Sequence, residues 1–142
     1  MFILNGPNLN MLGIREPEIY GAESLEDIKN WLGVESGVDF EWFQSNSEGD
    51  LIDWVQKAQI EKADIVINPG AFTHYSYGLH DALASHRSAG MVSIECHLSN
   101  PASRESFRRN SVISPAVTGT IAGFGKNVYL YAVQEIKSRR GN

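Results

Sequence analysis

Ile65-Val66-Ile67-Asn68-Pro69-Gly70 is the stretch that decides the fold. Three consecutive β-branched apolar residues present no polar face to water, so they predict a strand buried on both sides. Asn-Pro-Gly cannot continue the strand and closes it in a turn. Just before it, Leu51, Ile52, Val55, Ala58 and Gln59 keep helical spacing to about Lys62. Just after it, a helix is predicted over residues 76–88, with Leu79, Ala82 and Leu83 on its apolar side, and then a strand over residues 91–95. Short apolar strands separated by amphipathic helices imply a parallel sheet, because parallel neighbours need a crossover between them.

The same alternation extends to both ends. Residues 1–4 form a first short apolar strand, and Ser24 caps a helix with Asp27 at the matching position of a capping box. Leu25, Ile28, Trp31 and Leu32 keep that helix to about Ser36; residues 38–43 then alternate as a strand, and 44–49 are polar turn chemistry. Residues 100–110 predict a polar helical turn and 118–122 a fifth strand, after which Gly123-Phe124-Gly125 opens a last helix to about Lys137. Five such strands predict an α/β flavodoxin-like, doubly wound parallel sheet of order 2-1-3-4-5, as one catalytic domain over residues 1–142. Ligands of such sheets bind beyond the carboxyl ends of the strands, where the winding reverses between strands 1 and 3.

The segment at that switch point, residues 4–21, keeps neither the helical nor the strand period, and Gly6, Pro7, Gly13, Pro17 and Gly21 break it. A long irregular loop rich in apolar side chains is usually functional. It contains Asn8, Arg15 and Tyr20. A guanidinium near a phenol favours the phenolate by Coulomb attraction, which makes Tyr20 a candidate base. On spacing alone, a surface arginine and a packed tyrosine fit as well. The loops after strands 3 and 4 bring Asn68 and His74, then Glu95, His97 and Ser99, to the same rim, and that convergence favours the chemical reading.

Composition narrows the function classes. With 42% hydrophobic and 20% charged residues, the 142-residue chain suits a soluble globular protein. The formal net charge of -5 and the lack of a basic run argue against a nucleic-acid partner. No apolar stretch reaches bilayer length, and no signal-peptide pattern opens the chain, so no membrane partner is expected. One cysteine, Cys96, excludes an internal disulfide and suits the cytoplasm.

Five motifs together resemble the type II 3-dehydroquinate dehydratases: Asn5-Gly-Pro-Asn-Leu-Asn, Arg15-Glu-Pro-x-x-Tyr-Gly, Ile67-Asn-Pro-Gly-Ala-Phe-Thr-His, Ile94-Glu-x-His-Leu-Ser-Asn and Ser106-Phe-Arg. The resemblance runs from the first strand to the last helix. It implies anti elimination of water from 3-dehydroquinate through an enolate, giving 3-dehydroshikimate, with no cofactor, no metal and no Schiff base. Aromatic biosynthesis and quinate breakdown share this step. By motif, Tyr20 is the base, Arg15 keeps it as phenolate, Asn8 stabilises the enolate and His97 protonates the departing hydroxyl. Glu95 shares a strand face with His97, and a carboxylate there favours the imidazolium. The substrate carboxylate is assigned to Asn68 and the backbone N–H groups of Leu98 and Ser99. His74, Arg108 and Asp81 take the ring hydroxyls, Asp81 from a neighbouring subunit. The resemblance also implies trimers assembled into a homododecamer.

The chain departs from the family pattern at Asn110, where many members carry histidine, and at Cys96, where valine or isoleucine is usual. The first strand is also short. His80 and His86, six apart on a helix, lack a metal spacing and are expected to be solvated. Trp31, Trp42 and Trp54 are expected in the core or at a subunit interface. A flavin carrier would want a Ser/Thr-rich loop after strand 1, and a phospho-receiver would want aspartate in place of Asn68. The remaining rival is an inactive oligomeric relative that binds a small anionic ligand; intact Tyr20, Arg15 and His97 weigh against it.

Overall fold

The computed structural model describes residues 1–14 and 16–142. Five strands, β1 (Phe2–Asn5), β2 (Glu41–Gln44), β3 (Ile65–Asn68), β4 (Ser93–His97) and β5 (Gly119–Ala122), form one parallel sheet of order β2-β1-β3-β4-β5. This is the expected winding. A short helix α1 (Pro17–Tyr20) precedes α2 (Leu25–Ser36), α3 (Glu48–Ile60), α4 (Tyr77–Ser88) and α5 (Asn127–Arg139).

Period-two alternation divides the strand side chains between two cores. Ile3, Val66, Ile94 and Cys96 face α2 and α5, where Ile28, Leu32, Val133 and Ile136 meet them. Phe2, Leu4, Ile65 and Ile67 face α3 and α4, against Leu51, Val55, Leu79 and Leu83. Every residue of β1 and β3 is buried, which is why both read as unbroken apolar runs before their terminal asparagines.

Local chemistry sets the element ends. Ser24 and Asp27 form the expected capping box, with Ser24 Oγ accepting from Asp27 N at 3.1 Å and Asp27 Oδ2 accepting from Ser24 N at 3.0 Å. Ser76, expected as the first residue of α4, is its cap: its side chain accepts from the Leu79 N–H, and the helix starts at Tyr77. Helix α3 starts three residues before the expected Leu51, because Ser47 accepts from the Asp50 N–H and provides a cap there. Strand β2 is confined to Glu41–Gln44 at the sheet edge, since the Val38 N–H turns back onto Ser36 Oγ and the ladder starts only where Glu41 N reaches Met1 O. Strand β4 begins two residues later than expected and extends to His97: the Val92 N–H is held by Asp64 Oδ1 at 2.8 Å, and pairing with β5 runs to His97 opposite Ala122. The predicted polar turn over 100–110 is two 3-10 turns, Pro101–Ser103 and Ser106–Arg109.

Two histidine expectations are corrected. His86 is fully buried, and its Nε2–H donates to the Ala63 carbonyl at 2.8 Å. Burial pushes its imidazole below the ordinary value, only partly offset by that bond and by Asp64. The missed signal was spacing: His86 follows Leu79 and Leu83 on one helical stripe. His80 is half-buried, with Nδ1–H donating to the Val112 carbonyl at 2.6 Å. Trp42 and Trp54 are half-buried and pack against the two cores, on Tyr129 and Phe43 respectively.

Candidate active site

The loops leaving β1 and β3 touch backbone to backbone. The Gly6 N–H donates to the Asn68 carbonyl at 2.8 Å, and a Cβ on Gly6 would meet the Pro69 carbonyl oxygen at 2.5 Å. Gly70, at φ +55°, would bring a Cβ to 3.1 Å from the Pro7 carbonyl oxygen. Only glycine permits this approach, and it brings the Asn8 loop and the end of β3 to one cavity of about 230 Å³. Pockets for drug-sized ligands run to roughly 300–1,000 Å³, so this one suits a smaller molecule.

Of the residues singled out in the sequence, Asn8, Tyr20, Asn68, His74, His97, Leu98, Ser99 and Arg108 line that cavity. Glu95 lies behind His97 and is fully buried. Asp81 stands on the exposed surface of α4 and does not line the cavity of its own chain. Arg15 lies outside the described residues.

Glu95 and His97 share a face of β4, and His97 Nε2–H donates to Glu95 Oε1 at 2.6 Å. That leaves Nδ1 as the ring nitrogen available to a ligand. The carboxylate is clamped further by hydroxyls: Thr73 Oγ1 donates to Oε1 at 2.5 Å and Ser114 Oγ to Oε2 at 2.7 Å. Ser111 Oγ lies 2.6 Å from Thr73 Oγ1 and accepts from the N–H groups of Ile113 and Ser114. Burial alone would raise the Glu95 carboxyl, but His97 and the two hydroxyls outweigh it and hold the group below its ordinary value. A charged acceptor is therefore fixed against the imidazole.

Tyr20 ends the one-turn helix α1, half-buried against the α2–α5 core. The Arg104 guanidinium lies over its ring, 5.1 Å from the centroid, and its Nη1–H donates to Ser99 Oγ at 3.2 Å. Asn8 adopts the left-handed conformation at φ 68°, with its N–H on Asn46 Oδ1. His74 Nδ1–H donates to the Asn110 carbonyl at 2.7 Å. The partner is a main-chain atom, so the departure at Asn110 leaves this bond intact. Arg108 pairs with Glu105 at 2.5 Å.

Sequence reasoning missed Arg104, Thr73 and Ser114. Thr73 sits within the motif that ends in His74, and its place between two apolar neighbours and a histidine was the available signal. Arg104 and Ser114 lie in irregular turns, where no period shows which way a side chain points.

The chain matches the model of the family described as dehydroquinase class II over residues 1–137. It is 50% identical over 143 residues to the 3-dehydroquinate dehydratase of Caldicellulosiruptor bescii, covering 96% of this chain and 97% of that protein. It is 46% identical to the 3-dehydroquinate dehydratase of Clostridium beijerinckii, covering 99% and 97%. The crystal structure of type II dehydroquinase from Butyrivibrio crossotus superposes with a TM-score of 0.90 at 45% identity, covering 96% of this chain and 95% of that one. A 3-dehydroquinate dehydratase-like protein from Bifidobacterium longum is more distant, with a TM-score of 0.75 and 28% identity over 100% of this chain and 98% of that one.

Proposed function

This chain belongs to the class II dehydroquinase family, and from that premise we propose that it is a 3-dehydroquinate dehydratase, a hydro-lyase. The observation that carries the mechanism is the cavity that has Tyr20 and the Glu95-backed His97 in its wall, with Asn8 and Asn68 between strand ends. Tyr20 removes the proton next to the substrate ketone, and the C–H electron pair becomes an enolate. Asn8 stabilises the developing oxyanion. As the ketone re-forms, the C–O bond breaks, its electron pair leaves with oxygen, and His97 Nδ1 supplies the proton that completes water. Glu95 holds the imidazole and balances its charge until then. Arg15, by its place in the motif, acts as the activating partner of Tyr20, and Arg104 lies with its guanidinium over the Tyr20 ring.

The substrate carboxylate sits on Asn68 and the N–H groups of Leu98 and Ser99; His74 and Arg108 take ring hydroxyls. Asp81 serves the cavity of a neighbouring copy in a trimer, with four trimers in a dodecamer. Among the described residues no helix is long and apolar enough to cross a membrane, and we place the reaction in the cytoplasm.

Addition of 3-dehydroquinate to the purified protein tests the activity through the ultraviolet absorbance of the conjugated enone product. Turnover is expected without added metal, unaffected by chelator or borohydride. Inactivation by borohydride in the presence of substrate would point to a lysine imine and overturn the mechanism. The shared site is tested by refolding Tyr20→Phe and Asp81→Ala chains together. Activity should recover to about a quarter of wild type if sites span two subunits, and not at all if Asp81 serves its own chain.

A further inference from the structure

Between the ends of β1 and β3 lies a buried polar chain that takes no part in the proton transfers. Asn5 and Asn68 are register partners, so their side chains leave the same sheet face side by side. That face is covered by α5, and Tyr129, fully buried, places its phenol between them. Its hydroxyl donates to Asn5 Oδ1 at 2.6 Å and accepts from Asn68 Nδ2 at 3.2 Å.

The polarity of this chain is set by backbone groups at both ends. Asn5 Nδ2 donates to the Phe43 carbonyl of β2 at 3.0 Å, which turns Oδ1 toward Tyr129. An amide oxygen only accepts, so the phenol proton is committed to Asn5. What remains to the hydroxyl is acceptor capacity, and Asn68 must show it Nδ2. At the far end the Gly70 N–H donates to Asn68 Oδ1 at 3.2 Å, in agreement. Burial raises the Tyr129 phenol well above its ordinary value, so the proton stays in place at any working pH. One hydrogen of the Asn68 amide is thereby used, and the other is left for the cavity that Asn68 lines.

We infer that Tyr129, held by Asn5, is a positioning residue that fixes the flip of the Asn68 amide so that the cavity meets an N–H donor and selects an anionic group. The inference rests on the reading of Asn68 as the carboxylate site. Without the phenol, among the described residues only the Gly70 bond opposes rotation of the amide, and a flipped amide would turn its carbonyl oxygen on the carboxylate.

Tyr129→Phe keeps the ring and removes the hydroxyl, so KM for 3-dehydroquinate should rise by about tenfold or more. The contact is equal in ground and transition states, so kcat should stay within about twofold. Asn68→Ala should raise KM at least as much, and the double variant no further. Asn5→Leu, which removes the acceptor, should copy Tyr129→Phe, and it carries the same cycle if Tyr129→Phe does not fold. An unchanged KM in Tyr129→Phe or Asn5→Leu, with Asn68→Ala impaired, would overturn the positioning role. A full added penalty in the Asn68→Ala background would overturn it too, because Tyr129 would then act on the fold alone. An unchanged KM in Asn68→Ala would instead remove the carboxylate-site reading, and the inference with it.

Discussion

Glu95 and His97 stand on an inner strand of the sheet, paired on both sides, with three side-chain hydrogen bonds on one carboxylate that is wholly out of water. Tyr20 stands on a single helical turn, with no buried residue, between Glu16 at φ 42° and Gly21 at φ 92°. The two sides of one cavity are thus built in opposite ways. A proton donor whose charge must be balanced has to be held where water cannot compete, and that requires burial with full hydrogen-bond satisfaction. A base that must meet its substrate's carbon, the role proposed for Tyr20, needs a loop the ligand can settle against. Changes on the β4 side should therefore cost activity and stability together; changes to Tyr20 should cost activity alone.

His97→Ala gives the largest expected effect. It removes the proposed acid and leaves Glu95 as a buried charge without its hydrogen-bond partner on β4, so kcat should fall by roughly a thousandfold or more. Thermal unfolding should show lost stability as well, while equilibrium binding of the product remains measurable. Tyr20→Phe should lower kcat by at least about a hundredfold. Its melting temperature should stay close to wild type, and a large drop would break the contrast.

Glu95→Gln comes next, with kcat down about tenfold and stability at neutral pH lower by about 1–3 kcal/mol, since an amide cannot accept from three donors equally. Its pH dependence has a definite sign. The folded carboxyl lies below its ordinary 4.5, so the stabilisation is present above that value and is lost as pH falls through the folded pKa. The stability gap between wild type and Glu95→Gln should be widest at neutral pH and close in acid; a gap that widens in acid contradicts the assignment. Thr73→Val has the smallest effect, loss of one of three donors, costing about 1 kcal/mol with a few-fold fall in kcat. Paired melting and turnover measurements check both.

The contrast also explains what the sequence made visible. Ile65-Val66-Ile67 and the alternation around it specify buried parallel strands, because a strand with no polar side has only one place in a small α/β protein. The Ser24–Asp27 box was legible for the same reason: its chemistry is local. Glu95 and His97 were placed on one face by the period of a strand. Partners brought from afar were not legible. Thr73 and Ser114 reach Glu95 across |i−j| of 22 and 19, and Arg104 reaches Tyr20 from a turn with no period. His86 is buried against the expectation of a solvated residue: lack of a metal spacing does not imply exposure, and its spacing from Leu79 and Leu83 points inward. Tyr129 belongs with this last group, as its place on the apolar side of α5 gave no hint of the two asparagines at its tip.

Division of labour between the two sides is tested most directly by exchange of the substrate proton next to the ketone. In D2O, with 3-dehydroquinate followed by NMR, the His97→Ala protein should still exchange that proton, because Tyr20 can form the enolate and return a deuteron without expelling the hydroxyl. Tyr20→Phe should exchange none beyond the uncatalysed rate. Exchange by Tyr20→Phe as fast as by His97→Ala would show that another group removes the proton, and the assignment of the base to Tyr20 would be wrong.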